Sequence, residues 1–325
     1  MSGAVRWGVL GAAKFARTFM APAIHAAAGA ELAALATSDP AKAAGFRAFA
    51  PGLRVHDSYE ALLADPGIDA VYIPLPNHLH VDWTLKALAA GKHVLCEKPL
   101  TLRADQFDAV IAARDASGLL AAEAYMIVHH PQFHRARALV AEGAIGKLGH
   151  VEAVFTYNNA SDTANIRNKP ETGGGGLPDI GVYTFGAARF VSGEEPEAIT
   201  HAAIRWENDV DVYVQMAARF PSFSYGATVS MRLFPRQQVV FHGDAGVLTL
   251  TCPFNAGVFD QAELVLENSA GVRSVERWPG VNHYVLQVEA FGHSVRTGAA
   301  YPCPLEFSKG TQRMIDMTFA ASDAR

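Results

Sequence analysis

The apolar run Val94-Leu95-Cys96 ends in Glu97-Lys98-Pro99, and a second chemically capable pair, Asp179 and Tyr183, stands four positions apart just after Pro178. An ammonium at the end of a buried strand is partly desolvated, so it can hold a substrate hydroxyl or lower the pKa of a neighbouring acid. Residues four apart on a helix share one face. Oxidising an alcohol needs a base for the hydroxyl proton while hydride leaves, and a lone tyrosine with a pKa of about 10 is a poor one at neutral pH. A nearby ammonium favours the phenolate, which makes Lys98 a suitable partner for Tyr183. Plainer roles stand beside these: a core tyrosine with a bonded hydroxyl for Tyr183, and a helix N-cap for Asp179. Pro99 fixes the turn after the strand, and a cis peptide there is a further expectation.

Near the start of the chain, Gly11-Ala12-Ala13-Lys14-Phe15-Ala16 joins a strand to a helix. This is a weakened dinucleotide fingerprint, one glycine for the tight turn and alanines in place of the others. Gly11, Ala13, Lys14 and Phe15 are the candidates to meet a pyrophosphate, through backbone N–H groups and the helix dipole. An ordinary glycine turn is the competing reading. The second strand ends in Ser38-Asp39-Pro40, with Lys42 just beyond. Ser38 and Lys42 suit a 2′-phosphate, whereas Asp39 would repel one if it pointed inward. The same Ser-Asp-Pro also makes a good helix N-cap with proline at the first helical position. On balance NADP is favoured, with NAD left open.

The elements that must carry these groups follow from hydrophobic period. Up to about residue 124, wholly apolar strands ("AVRWGVLG", "ELAALAT", "IDAVYIPLP", "KHVLCEK", "LLAAEAYM") alternate with helical segments over 15–28, 80–91 and 104–117. Such strands separated by helices predict a parallel sheet covered on both faces, the doubly wound Rossmann form of an α/β protein. Beyond roughly residue 145, "HVEAVFTYN", "ITHAAIRWE", "VDVYVQMAARF", "FSYGATVSMRLF", "QQVVFHG" and "GVLTLTC" follow one another through short turns. These predict a mostly antiparallel open sheet in an α+β domain, with helices over 179–191 and 283–296 against one face. Residues 1–124 are thus read as dinucleotide-binding and 125–325 as the domain for substrate binding and oligomerisation. A helix over 304–324 belongs to the second or packs back on the first.

Composition sets the outer limits. A net charge of −5 argues against a nucleic-acid partner. Three scattered cysteines, Cys96, Cys252 and Cys303, form neither a disulfide framework nor a zinc site, and His78 and His80 lack further ligands at a convincing spacing, so no metal is expected. The first residues do not read as a secretion leader and no apolar run is long enough to span a membrane, which together predict a cytoplasmic location.

The chain resembles the glucose-fructose oxidoreductase/inositol dehydrogenase family, Gfo/Idh/MocA, in "GVLGAAKFA", "PNHLH" at 76–80, "AGKHVLCEKPL" at 90–100, "EAYM" at 123–126, "HHPQF" at 129–133, "NIRNKPETGGGGLPDIGVY" at 165–183 and "NHYVLQVEAF" at 282–291. The resemblance implies a two-domain NAD(P)-dependent oxidoreductase acting on a sugar, polyol or related cyclic hydroxyl compound. Lys98 is then catalytic, touching substrate and nicotinamide ribose, with Glu97 beside it and Asp179 and Tyr183 as the pair in the second domain. Tyrosine at 183 matches the branch of dimeric dihydrodiol dehydrogenase and NADP-linked xylose dehydrogenase. Pro74, Asn77 and His80 are implied on the cofactor side, and Arg167, Asn165, Tyr125 and His283 on the substrate side. The four glycines at 173–176 would let backbone approach a ligand closely. A solvated loop is the other reading of that segment. Where many relatives read MYRFHP, this chain has Met126-Ile127-Val128-His129-His130-Pro131, and apolar Ile127 and Val128 in the pocket would suit a dihydrodiol or dicarbonyl substrate. A non-catalytic nucleotide-binding regulator, and an enzyme that never releases its nucleotide, are the remaining alternatives. The family also implies a homodimer or homotetramer built through the C-terminal sheet.

Overall fold

β1 (Val5–Leu10) is buried along almost its whole length, because helices cover both faces of the sheet it belongs to. A computed structural model describes residues 3–322. It divides into two units, one formed by the chain up to His129 with Asn282–Ser308, the other by His130–Val281 with the chain from Lys309 onward.

In the first unit β1 is joined by β2 (Ala30–Ala36), β3 (Arg54–His56), β4 (Ala70–Ile73), β5 (His93–Glu97) and β6 (Ala121–Ala124). All pair in parallel, in the order β3-β2-β1-β4-β5-β6. The order reverses between β1 and β4, the place where such sheets open a crevice at their carboxyl ends. The helices are α1 (Ala21–Ala26), α2 (Pro40–Arg47), α3 (Tyr59–Leu63), α4 (His80–Ala89) and α5 (Gln106–Ser117). Leu62, Leu88, Val94 and Phe107 are among the side chains filling one side of the sheet.

The second unit opens with α6 (Pro131–Ala141), begun by a proline at its first position and capped by His130. Its sheet holds β7 (Leu148–Asn158), β8 (Ala198–Glu207), β9 (Val210–Arg219), β10 (Ser224–Ser230), β11 (Arg232–Gly243), β12 (Gly246–Leu250), β13 (Glu263–Asn268) and β14 (Arg273–Arg277). The order is β14-β13-β12-β11-β7-β10-β9-β8, antiparallel throughout except for β7 beside β10. α7 (Val182–Ser192) packs on β7 and α6 packs on α7.

The last two helices are α8 (His283–Thr297) and α9 (Leu305–Ala320). The structure corrects the expectation that the first of these covers the second sheet. α8 lies against β1, β2 and α1 of the Rossmann sheet. Phe291 brings its ring to 5.0 Å from Trp7, Arg296 donates to the Gly29 carbonyl at 2.9 Å, and Glu289 accepts the Ala28 N–H at 2.9 Å. The first turn of α9 is counted with the same unit, where Glu306 pairs with Arg114 at 2.7 Å, whereas Phe319 stacks near Trp206 of the second.

Candidate active site

In the first unit, the turn after β1 depends on Gly11. Its φ of +106° is strained for any other residue, and a side chain there would meet Leu75 and Tyr59. The Gly11 N–H is held by the Ala36 carbonyl at 3.0 Å, and helix begins at Lys14. Phe15 packs with Phe19 and Tyr284, ring centroids 5.2 and 5.8 Å away. At the end of β2, Asp39 accepts the Ala41 N–H at 3.0 Å as the N-cap of α2 and lies 4.0 Å from the Lys42 ammonium. Ser38 and Lys42 are exposed beside it. The acidic side chain is thus occupied by its own helix, and the site fits a dinucleotide: a tight glycine turn at a helix start, on the crevice side of the sheet.

The segment after β5 is held from three directions. Glu97 accepts the Tyr72 hydroxyl at 2.5 Å and the Lys98 N–H at 3.2 Å. The Lys98–Pro99 peptide is cis. The Pro99 carbonyl meets His80 Nδ1 at 2.7 Å, and the Leu100 N–H donates to Glu123 at 2.8 Å. Burial pushes the Glu97 pKa up, against Tyr72 and Lys98, which pull it down. His80 is fully buried, and its Nε2 meets the Leu75 carbonyl at 2.7 Å. Both ring nitrogens thus face backbone carbonyls, and a neutral ring donates to one of them, which ties His80 to the Lys98 turn. Burial lowers the His80 pKa, while the two carbonyls raise it.

Other expected residues of this unit spread out. Asn77 is half-buried in a short turn before α4, and Pro74 is buried at the end of β4. Tyr125 is 1% exposed beside Phe307, and His283 is 1% exposed at the start of α8, its ring 4.4 Å from that of Tyr284. Ile127 and Val128 are wholly buried in a turn packed on α8, which removes them as pocket lining.

In the second unit, Asp179 is buried, pairs with Arg167 at 2.8 Å and accepts the Tyr157 hydroxyl at 2.6 Å. Burial, then the Asp179 carboxylate, pushes the Tyr157 hydroxyl far up, so it stays a donor. The helix is wider than expected at this point: Leu177–Gly181 forms a π-type turn that runs on into α7. Such turns recur at functional sites. Tyr183 is 5% exposed, with Phe155 and Phe254 rings 5.8 Å from its own. Asn165 is taken up locally, accepting the Arg167 N–H at 3.1 Å and donating to Asp162 at 3.0 Å.

The glycines are accounted for by the protein itself. A side chain at Gly174 would strike the carbonyls of Arg167 and Lys169, and one at Gly175 would strike the carboxylate of Asp211. Asp211, on β9, accepts the Leu177 N–H at 2.6 Å. Burial raises its pKa to about 7, against the pull of backbone N–H groups of Leu177, Asp211 and Gly176. The close approach at Gly174 and Gly175 is to Asp211 and the loop's own backbone. Tyr72, Tyr157 and Asp211 escaped the sequence; only Tyr72 carried a signal, a lone hydroxyl in an otherwise apolar strand. Among the described residues, no three His, Cys, Asp or Glu gather as a metal ion needs, and no helix is long and apolar enough to cross a membrane.

Residues 5–125 match the family GFO_IDH_MocA, described as "Oxidoreductase family, NAD-binding Rossmann fold", and residues 133–249 match the "GFO/IDH/MocA C-terminal domain". The chain is 38% identical to an uncharacterized oxidoreductase, ORF334, from Rhizobium meliloti, over 96% of this chain and 95% of that one. It is 33% identical to D-xylose 1-dehydrogenase (NADP(+)) 2 from Haloferax volcanii, covering 98% and 97%. The crystal structure of the 3-ketoreductase KijD10 from Actinomadura kijaniata, in complex with NADP and TDP-benzene, superposes with a TM-score of 0.91 at 30% identity, over 98% of both chains.

Proposed function

We propose, from the premise that the chain belongs to the Gfo/Idh/MocA oxidoreductase family, that it uses NADP to interconvert a hydroxyl and a carbonyl on a sugar, polyol or related cyclic hydroxyl compound. The observation that carries the reading is likeness over nearly the whole chain to a D-xylose dehydrogenase named for NADP and to a ketoreductase crystallised with NADP. The engagement of Asp39 as the cap of α2 also supports NADP, since it draws that carboxylate toward its own helix.

The first unit is assigned the nucleotide, through Gly11, Ala13, Lys14, Phe15, Ser38 and Lys42. Pro74, Asn77, Glu97 and Lys98 are assigned to its nicotinamide end. The second is assigned the substrate through Asp179, Tyr183, Arg167 and Asn165. A bound nicotinamide supplies or takes the hydride. Lys98 orients the substrate oxygen and stabilises negative charge on it. Tyr183 takes the hydroxyl proton in oxidation and returns it in reduction. Arg167 and Tyr157 both hold the Asp179 carboxylate through Oδ2, and the carboxylate serves as an acceptor for substrate hydroxyls. Three buried cysteines, none of them in a disulfide, agree with a cytoplasmic location. Exposed Leu233 and Phe234 on β11 agree with a homodimer or homotetramer through the second sheet.

The test follows nicotinamide absorbance with NADP⁺ and NAD⁺ in parallel against aldoses, inositols and dihydrodiols, for the natural protein and Tyr183→Phe. Turnover with NADP⁺, reduced about a hundredfold or more in the variant, is the expected result. Nucleotide binding without turnover of any compound would overturn the enzymatic reading.

A further inference from the structure

We propose that Tyr72 is a positioning residue for this reaction, acting through Glu97 to hold the backbone of Lys98; the inference rests on the function proposed above. Tyr72 lies on β4 with no exposed surface, so its hydroxyl is shielded from solvent. Its target is Glu97 Oε1, at 2.5 Å. The other carboxylate oxygen takes the N–H of Lys98 at 3.2 Å. One carboxylate thus ties the centre of the sheet to the peptide of the lysine assigned to the substrate oxygen.

The tie is that of an ionised Glu97. A carboxylate accepts from both donors, whereas a protonated one turns one oxygen into a donor, so the Tyr72 contact must reverse or the Lys98 N–H contact weaken. Several groups act on that charge. Tyr72 from β4 and Lys98 from the turn favour it; Glu123 from β6 opposes it, as does burial. Tyr284 at the start of α8 and Cys96 on β5 stand nearby as neutral groups, their own ionisation opposed by burial and by Glu97. His80 acts at one remove, through the Pro99 carbonyl. Among the single interactions favouring the charge, the Tyr72 hydrogen bond is the largest. Without its hydroxyl, Glu97 takes up a proton at higher pH and the Lys98 turn loosens.

Tyr72→Phe keeps the ring and its packing. We compare wild type, Tyr72→Phe, Glu97→Gln and the double variant, measuring kcat, KM for NADP⁺, the pH profile of kcat and NADPH binding by fluorescence. A second readout is the Glu97 carboxyl titration by carbon-13 NMR. A hydrogen bond to a charged group predicts a fall in kcat of about tenfold or more, with KM for NADP⁺ within about twofold. The acidic limb of the profile and the Glu97 titration should both move up by about one pH unit. In the Glu97→Gln background, Tyr72→Phe should add less than about twofold, since the two act as one unit. An active wild type whose acidic limb and Glu97 titration stay put in Tyr72→Phe overturns this inference alone, as do losses that multiply in the double variant. A wild type that binds NADPH without turnover overturns the functional reading, and this one with it.

Discussion

The Asp211 carboxylate takes the Leu177 N–H at 2.6 Å, so the start of β9 is fastened to the first turn of the segment bearing Asp179 and Tyr183. That carboxylate has a raised pKa of about 7, against an ordinary 3.8, because it is buried. Between those values the folded protein binds the extra proton, so stability must fall as pH rises across this window. The contribution is fully present below about pH 4 and lost as the pH passes about 7. Asp211→Asn should remove this slope while keeping an acceptor for Leu177. Urea midpoints at pH 5 and pH 8 check it: the gap between them should shrink in the variant, and an unchanged gap would refute the assignment.

Gly175 presses on the same carboxylate, with φ at +131°. Gly175→Ala should cost about 3 kcal/mol or more, from backbone strain plus the collision with Asp211. Gly271 offers the control, since its φ is +76° but open space surrounds it. Gly271→Ala should cost only about 1 kcal/mol. Chemical denaturation of the two variants side by side checks the order, and a Gly175→Ala loss no larger than that of Gly271→Ala would refute the collision.

Ser38→Asp should bring a second carboxylate to the end of β2 that α2 does not engage. Discrimination between NADP⁺ and NAD⁺, taken as the ratio of kcat/KM values, should shift at least about tenfold toward NAD⁺. An unmoved ratio would mean that Ser38 does not face the ribose.

Much of the first unit was legible because its strands are apolar on both faces and separated by helices, a pattern with one architectural solution. The Gly11 turn and the Glu97-Lys98-Pro99 ending were legible for the same reason: they interrupt long apolar runs. α8 was visible as a helix but not as part of the Rossmann unit. An amphipathic stripe states that a helix is covered, while Phe291 carries no mark naming Trp7 as its partner. The strands β13 and β14 and the helix α6 passed unread, their patterns shorter or more polar. In the site, the reactive types announced themselves and their supports did not. Tyr72, Tyr157 and Asp211 look like ordinary strand residues until folding brings their partners from 22 to 34 positions away.

The placement of α8 bears on how the chain is made. The strands of the first unit have all been made once Ala124 is synthesised, yet the helix that packs on β1 and β2 begins roughly 160 residues later. At about 5–20 residues per second this is a delay of roughly 8 to 30 s. Throughout that interval Trp7 and the rest of that face lack their Phe291-bearing cover. The nascent sheet is then an apolar surface awaiting its last helix, and a chain cut short before residue 282 would leave the ribosome as a client for chaperones.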